Sequence, residues 1–514
     1  MELNASCLEA YLNEPQRRRD TEACRSEFAV RCNPLAIFVP TSFHSSLRVS
    51  ASLWFNFRCM NLLLTFYGDD FTGSTDALEQ LSLAGIRTAL FIAPPTPAQL
   101  KKFPGLQAVG VAGKTRSLAP AAMEQELKPA MLALKKLKPR HVHYKVCSTF
   151  DSAPHVGSIG KVMDVAAKIF PAPFIPLLVA APSLGRYTIF GQHFARYGIG
   201  SAGAIHRLDR HPSISKHPVT PMTEADLRLH LSKQTQKRSA LFDILKFSLP
   251  EKEFHVAFRQ LLAEKPDVVL FDALTAEHIA RIGELLKDSA AKKSPLFSVG
   301  SSGIEAALAA AFSAGNSRRG SAQTETSRGK ISGLTSAATQ VLIGSGSCSP
   351  VTNGQITWAL KHGFAEVALN ALLLADAKTS LQEISRAAQA AAKLLLADRS
   401  VIVHSTRSGS NPRIAAKLKG RTAEVLGSAL GKVLHEAVKQ TSVRRVSIAG
   451  GDTSSYAARA MGIEALEMIA PLTPGAPLCR ARATNSPVDG CEVVFKGGQV
   501  GPENYFEIVR RGSR

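Results

Sequence analysis

The residues best suited to chemistry stand together in Gly68-Asp69-Asp70-Phe71-Thr72-Gly73-Ser74-Thr75-Asp76. An apolar run over 62–68 predicts a buried strand just before them, and 74–84 reads as a helix stopped by Gly85. Carboxylates at the carboxyl end of a strand that feeds a helix lie where open α/β sheets bind their ligands. Side chains alternate along extended chain, so one of Asp69 and Asp70 can face a ligand while the other fixes the turn. A carboxylate so placed can accept a hydroxyl proton or hold a metal. Helix capping by Asp70, Thr72 or Ser74 is the structural alternative.

A basic and polar set follows later strands. Lys114-Thr115-Arg116-Ser117 comes after one, Lys145 and then Cys147-Ser148-Thr149-Phe150-Asp151 on and after the next. A long loop carries His206, Arg207, Asp209 and His211 and ends at His217-Pro218-Val219-Thr220-Pro221. Lys114, Arg116, Lys145 and Arg207 suit the carboxylate of a small polyhydroxy acid, and Asp151 with its neighbouring hydroxyls suits the alcohols. His141-x-His143 lacks a third ligand, and Pro212 breaks any zinc-binding helix through His206 and His211, so no metal site is expected there. The segment 108–115 approaches a phosphate-binding loop with Ala108 in place of the first glycine, but Pro120 sets the next helix start too late.

Glycine turns dominate the second half. Gly344-Ser345-Gly346-Ser347 follows a strand at 340–343 and precedes Pro350, and Gly450-Gly451-Asp452-Thr453 follows a strand at 445–449. Pro474-Gly475-Ala476-Pro477 and Lys496-Gly497-Gly498-Gln499-Val500-Gly501 add two more. Small residues let backbone N–H groups approach phosphate oxygens, and a helix start favours the anion. Ser349 occupies the third position of a dinucleotide fingerprint, which excludes that motif. Together the turns predict a nucleotide lobe.

The elements that must position these residues alternate. Strands are expected at 62–68, 86–92, 107–112, 142–148, 176–180, 268–273 and 295–300, with helices at 74–84, 120–137, 157–169, 276–289 and 303–313. A polar, Gly/Ser-rich linker covers 315–335. Strands at 340–343, 401–404, 445–449 and 493–496 then alternate with helices at 350–362, 379–397, 428–440 and 454–461. The fold class is α/β, as two lobes over 60–314 and 336–514 with a ligand cleft between them.

Composition narrows the partners. The 514 residues are 45% hydrophobic and 20% charged, which excludes disordered, collagen-like and disulfide-stapled chains. No uninterrupted apolar run is long enough for a membrane span. The net charge of +21 is spread over both lobes, without a basic tail or interleaved aromatics, and points to small anionic ligands instead of nucleic acid. Four of eight cysteines (Cys7, Cys24, Cys32 and Cys59) fall in 1–59, and Cys147, Cys348, Cys479 and Cys491 are scattered as reduced cytoplasmic thiols would be. Residues 1–59 read as an extension outside the fold, because Met60 opens the first strand as an initial residue would.

The set resembles the four-carbon acid sugar kinases. Asp69 to Asp76, Gly344-Ser345-Gly346-Ser347, Gly450 to Thr453, Pro474 to Pro477 and Lys496-Gly497-Gly498 match in order from Met60 onward. The chain departs at Gly498-Gln499-Val500-Gly501, where an Asn-Phe-Gly ending is expected. The resemblance implies ATP-dependent phosphorylation of a terminal hydroxyl on a 3-oxo-tetronate, threonate or erythronate-like acid. A branched oxo-acid such as 3-oxo-isoapionate is the alternative substrate, and a non-catalytic nucleotide or metabolite binder the alternative class. It assigns nucleotide contacts to Ser345, Ser347, Gly450, Gly451, Asp452, Thr453, Gly497 and Gly498, with Mg²⁺ carried by ATP. It assigns acid-sugar contacts to Asp69, Asp70 and Arg116, the two aspartates orienting or deprotonating the attacking hydroxyl. Self-association is left open.

Overall fold

The computed structural model describes residues 62–198, 203–217, 219–290, 294–317, 340–407, 416–418 and 421–512. The extension expected over 1–59 lies outside these residues, as does all of the expected linker except 315–317, which end the Gly303–Ser317 helix.

In the first lobe β1 (Leu64–Gly68) lies between β3 (Ala108–Ala112) and β4 (His141–Lys145), with β2 (Thr88–Phe91) outside β3. Beyond β4 come β11 (Leu296–Gly300), β5 (Ile175–Leu178), β10 (Val268–Phe271) and β9 (Ser239–Phe242), all parallel to their neighbours. Parallel strands are covered on both faces, so they are written as continuous apolar runs, and β1, β3 and β4 are buried throughout. A separate antiparallel sheet holds β6 (Arg186–Ile189), β7 (Gln192–Arg196) and β8 (Ile205–Arg207). It occupies the region that the sequence pattern leaves as loop.

The second lobe has its own parallel block, in the order β13 (Ala365–Ala368), β14 (Val401–His404), β12 (Leu342–Ser345), β15 (Arg445–Ala449) and β18 (Glu492–Lys496). An antiparallel hairpin, β16 (Ala465–Thr473) and β17 (Ala476–Arg482), extends it. The hairpin also closes the fold, because β16 pairs with β2 at Ala465–Phe91 and Leu466–Leu90. The lobes therefore share one 15-stranded sheet.

That pairing reverses direction three times between β2 and β18, so the two parallel blocks run in opposite senses. Their carboxyl ends meet only because the sheet folds over at the seam. Bulges in β16 between Met468 and Ala470 and between Ala470 and Thr473 supply the bend. The Phe71–Leu83 helix fills the angle, with Phe71 against Phe495 of β18 at 4.4 Å between ring centroids. Buried residues of both lobes accordingly form one apolar cluster, from Leu64 and Leu78 through Leu466 to Phe495.

Arg459 fastens the seam from the second lobe, donating from Nη2 to the carbonyls of Ile92 at 2.8 Å and Ala112 at 3.2 Å. Arg459→Met leaves both acceptors unpaired. The expected cost is about 1–3 kcal/mol in urea unfolding, with loss of the single cooperative transition if the seam carries the coupling between lobes.

Candidate active site

The Phe71–Leu83 helix starts three residues earlier than the apolar pattern predicts, because Asp70 caps it. Its carboxylate accepts the Gly73 N–H at 2.7 Å and the Thr72 hydroxyl at 2.8 Å. Arg116 Nη2 lies 2.8 Å from the same carboxylate. Burial raises the pKa of Asp70, but Arg116, Thr72 and Gly73 outweigh it and hold the group below its ordinary value.

Asp69 faces the opposite balance. Its backbone is locked between strands, donating to the Lys145 carbonyl at 2.9 Å and accepting from the Arg116 N–H at 3.1 Å. Its side chain is buried and Oδ1 has no hydrogen-bond partner among the described residues. Burial and then the charge of Asp70 push its pKa up to about 7, against the pull of Arg116 and Lys145. Two adjacent carboxylates thus carry pKa values driven apart by their surroundings, the arrangement that separates a base from a fixed charge.

Arg116 reaches across the lobes. The same Nη2 lies 3.0 Å from Oδ1 of Asp452, in the first turn of the Gly451–Ala460 helix. Gly451 permits this approach, since a Cβ there would stand 2.8 Å from Arg116 Nη2 and 3.4 Å from Asp70 Oδ2. Behind Asp69, the buried Lys145 ammonium lies 3.3 Å from Asp76 Oδ2 and donates to the Val146 carbonyl at 3.0 Å. Burial lowers the pKa of Lys145, and the charges of Asp76, Glu305 and Asp69 more than reverse this. Glu305 is fully buried with neither oxygen hydrogen-bonded, and burial lifts its pKa to about 8 in spite of Lys145. Sequence reasoning missed Glu305, whose only signal was an acid in the first turn of a helix after a strand.

Of the other expected acid-sugar residues, Asp151 accepts from the Thr149 hydroxyl at 2.9 Å and acts on Asp69 through its charge. Lys114 faces Glu126 at 3.8 Å, with about a third of each side chain exposed. Arg207 is held by both oxygens of Asp209 at 2.7 and 2.6 Å, and the charges acting on it are those of Asp209 and Glu224. The structure thus gathers Asp69, Asp70, Arg116, Lys145 and Asp151, and sets Arg207 in a separate ion pair.

The nucleotide turns converge in the same way. Ser349 caps the Pro350–Lys361 helix, and Gly450 caps Gly451–Ala460 with φ of 136°, a conformation suited to glycine. A Cβ at Gly450 would strike the Thr453 hydroxyl and lie 3.3 Å from the Ser347 nitrogen. The hydroxyls of Thr453 and Ser345 are buried without partners among the described residues. Thr352 Oγ1 donates to the Gly498 carbonyl at 3.0 Å and accepts from Lys496 Nζ at 2.9 Å. Gly497 stands near Thr72 of the first lobe, 3.9 Å from a Cβ built there to the hydroxyl. Two helix starts and one glycine turn therefore surround Ser347, a setting that favours phosphate oxygens. The Pro474–Pro477 turn has another task, since the Gly475 N–H donates to Glu79 Oε2 at 2.6 Å and docks the hairpin on the Phe71–Leu83 helix.

Comparison with known proteins agrees with this division. Residues 64–308 match the sugar-binding N-terminal domain model and 342–506 the nucleotide-binding C-terminal domain model. The chain is 41% identical over 461 residues to the 3-oxo-isoapionate kinase of Paraburkholderia graminis, covering 88% of this chain and 94% of that one. It belongs to the four-carbon acid sugar kinase family. The 3-oxo-tetronate kinase of Salmonella typhimurium is 27% identical over 449 residues, covering 86% of this chain and 97% of that one. A crystal structure from Salmonella typhimurium, titled as a putative tRNA synthase, superposes with a TM-score of 0.67 at 24% identity, covering 88% of this chain and 99% of that one; it shares the fold. The candidate site lies where these two matched domains meet, at the Asp70–Arg116–Asp452 contact.

The raised value at Asp69 has a consequence for stability. The unfolded chain loses this proton first as pH rises, so the native carboxylate costs stability progressively from near 3.8 up to about 7. Asp69→Asn is expected to raise Tm, and to raise it more at about pH 8 than at about pH 5. Thermal unfolding at the two pH values measures the difference.

Proposed function

We propose that this chain transfers the γ-phosphoryl group of ATP to a terminal hydroxyl of a 3-oxo sugar acid, with Asp69 as the base. The reading rests chiefly on Asp69, a buried carboxylate with an oxygen unpartnered among the described residues, adjacent in the chain to Asp70, whose Arg116 partner also meets Asp452 of the second lobe. Among acids, the branched 3-oxo-isoapionate type is preferred to the linear 3-oxo-tetronate, because identity to the kinase named for it is 41% against 27% for the Salmonella typhimurium enzyme.

Phosphoryl transfer asks mainly for positioning and for charge placed around the migrating group. Asp69 would take the hydroxyl proton, and Asp70, kept ionised by Arg116, would hold that guanidinium toward the second lobe. The turns at Ser345 to Ser347, Gly450 to Thr453 and Gly497-Gly498 would receive the triphosphate in the cleft between lobes. Mg²⁺ would enter with the nucleotide, whose phosphates bind it. Asp452, half-exposed in the first turn of the Gly451–Ala460 helix, would meet it, and the ion would neutralise phosphate charge. The free thiols Cys147, Cys348, Cys479 and Cys491 and the use of ATP favour the cytoplasm. Among the described residues no helix is long and apolar enough to cross a membrane.

The test is ADP release with a panel of 3-oxo acids and tetronates. Turnover is expected with a 3-oxo acid, rising with pH as Asp69 ionises near 7, and Asp69→Asn should lower kcat by about 10²–10⁴-fold. Wild-type turnover in that variant removes the base assignment. Gly450→Ala, strained at its positive φ and crowding Thr453, should raise KM for ATP while leaving KM for the acid near its original value. Equal changes in both would contradict the nucleotide role.

A further inference from the structure

The proposed reaction needs a group to hold the substrate's carboxylate, and the cations expected to do so are engaged. Arg116 is bound by Asp70 and Asp452, Lys145 by Asp76, Arg207 by Asp209 and Lys114 by Glu126.

Arg186, the first residue of β6, differs. It is 4% exposed, and no carboxylate forms an ion pair with it among the described residues. Its hydrogen bonds all leave from Nη1, to the carbonyls of Leu184, Gly185 and Arg196 at 2.9, 3.4 and 3.1 Å. Nε is buried with no partner among the described residues. Fastening the backbone therefore occupies one nitrogen and leaves the Nε–Nη2 edge unused.

His211 presents a second donor. Its Nδ1 accepts the backbone N–H groups of Ser213 and Ile214, each at 3.3 Å. Those contacts put the ring proton on Nε2, which is buried and unpartnered among the described residues. Burial and then the charge of Arg186 press the His211 pKa down to about 4, so the ring is a neutral donor near pH 7. The Arg196 carbonyl that accepts from Arg186 also acts on this ring, which brings imidazole and guanidinium together. Asp151 acts on Arg186 and His211 alike, and on Asp69 as well. The sheet that carries Arg186 is tied to the segment holding Asp151, since His193 Nε2 of β7 bonds the Ser148 carbonyl at 2.9 Å. Buried donors without acceptors are rare in folded chains, and two in one neighbourhood suit an anionic ligand.

We propose that the Nε–Nη2 edge of Arg186 and the Nε2–H of His211 bind the carboxylate of the sugar acid and so turn its hydroxyl end toward Asp69. This rests on the kinase reading above. Two parallel N–H bonds from one guanidinium edge match the two oxygens of a planar carboxylate, and the imidazole N–H adds a third contact.

The experiment uses the full chain, ATP, and 3-oxo-isoapionate or 3-oxo-tetronate, each also as its primary amide. Arg186→Gln is expected to raise KM for the acid by about 10- to 100-fold with KM for ATP unchanged, and His211→Phe by about 10-fold. Arg186→Lys should recover only part of the loss, since an ammonium cannot make the paired contact. In wild type the amide should lose a factor similar to that of Arg186→Gln, and should lose little more in the variant. An unchanged KM for the acid in either folded variant, or an amide that binds as well as the acid, overturns the assignment. Should Arg186→Gln not fold, His211→Phe and the wild-type comparison of acid with amide decide it. Absence of turnover by wild type with every acid defeats the kinase reading itself, whereas turnover with unaltered variants defeats only the carboxylate site.

Discussion

One guanidinium nitrogen organises the site. Arg116 Nη2 sits 2.8 Å from Asp70 and 3.0 Å from Asp452, a carboxylate from each lobe. The pairing keeps Asp70 ionised, and that negative charge adds to burial in raising Asp69 beside it. A single cation therefore makes two neighbouring aspartates unequal, one held ionised and one able to keep its proton to near neutrality. Breaking that pair would free Asp70 to compete for the proton, and the division of roles would go with it.

The contact exists because of the seam. Two parallel blocks running in opposite senses would point their ligand-binding ends apart in a flat sheet. The bulged β16 bends the sheet, the Phe71–Leu83 helix fills the angle, and Glu79 and Arg459 fasten it. The helix that follows Asp69 and is capped by Asp70 is also the wedge between the lobes. Its residues are buried on several sides, including Ser74, Thr75, Asp76 and Glu79. Polar side chains inside such a wedge must each find a partner, and Lys145 and Gly475 serve Asp76 and Glu79.

Much of this was legible in the sequence. Strands covered on both faces appear as unbroken apolar runs, so β1, β3, β10, β11 and β15 lie within a few residues of where the pattern puts them. Asp69 and Asp70 were recognisable from their place between strand and helix, although the cation that holds Asp70 ionised comes from Arg116, far along the chain. The small sheet of β6, β7 and β8 was not legible, because its strands are only three to five residues long, rich in polar residues, and β8 buries none of its residues. Lys145 was expected to meet substrate, yet its ion pair with Asp76 and its proximity to Glu305 follow from packing between distant elements. Arg186 carries no motif at all, and its importance appears only once its nitrogens are accounted for one by one.

The central claim is that Asp69 changes charge near neutrality while Asp70 does not. Carbonyl-¹³C NMR of aspartate-labelled protein, titrated from about pH 4 to about pH 9, reads this directly. The expected result is one carboxyl resonance with a midpoint near 7 that disappears in Asp69→Asn. A wild-type spectrum in which every aspartate has titrated below about pH 5 would contradict the account.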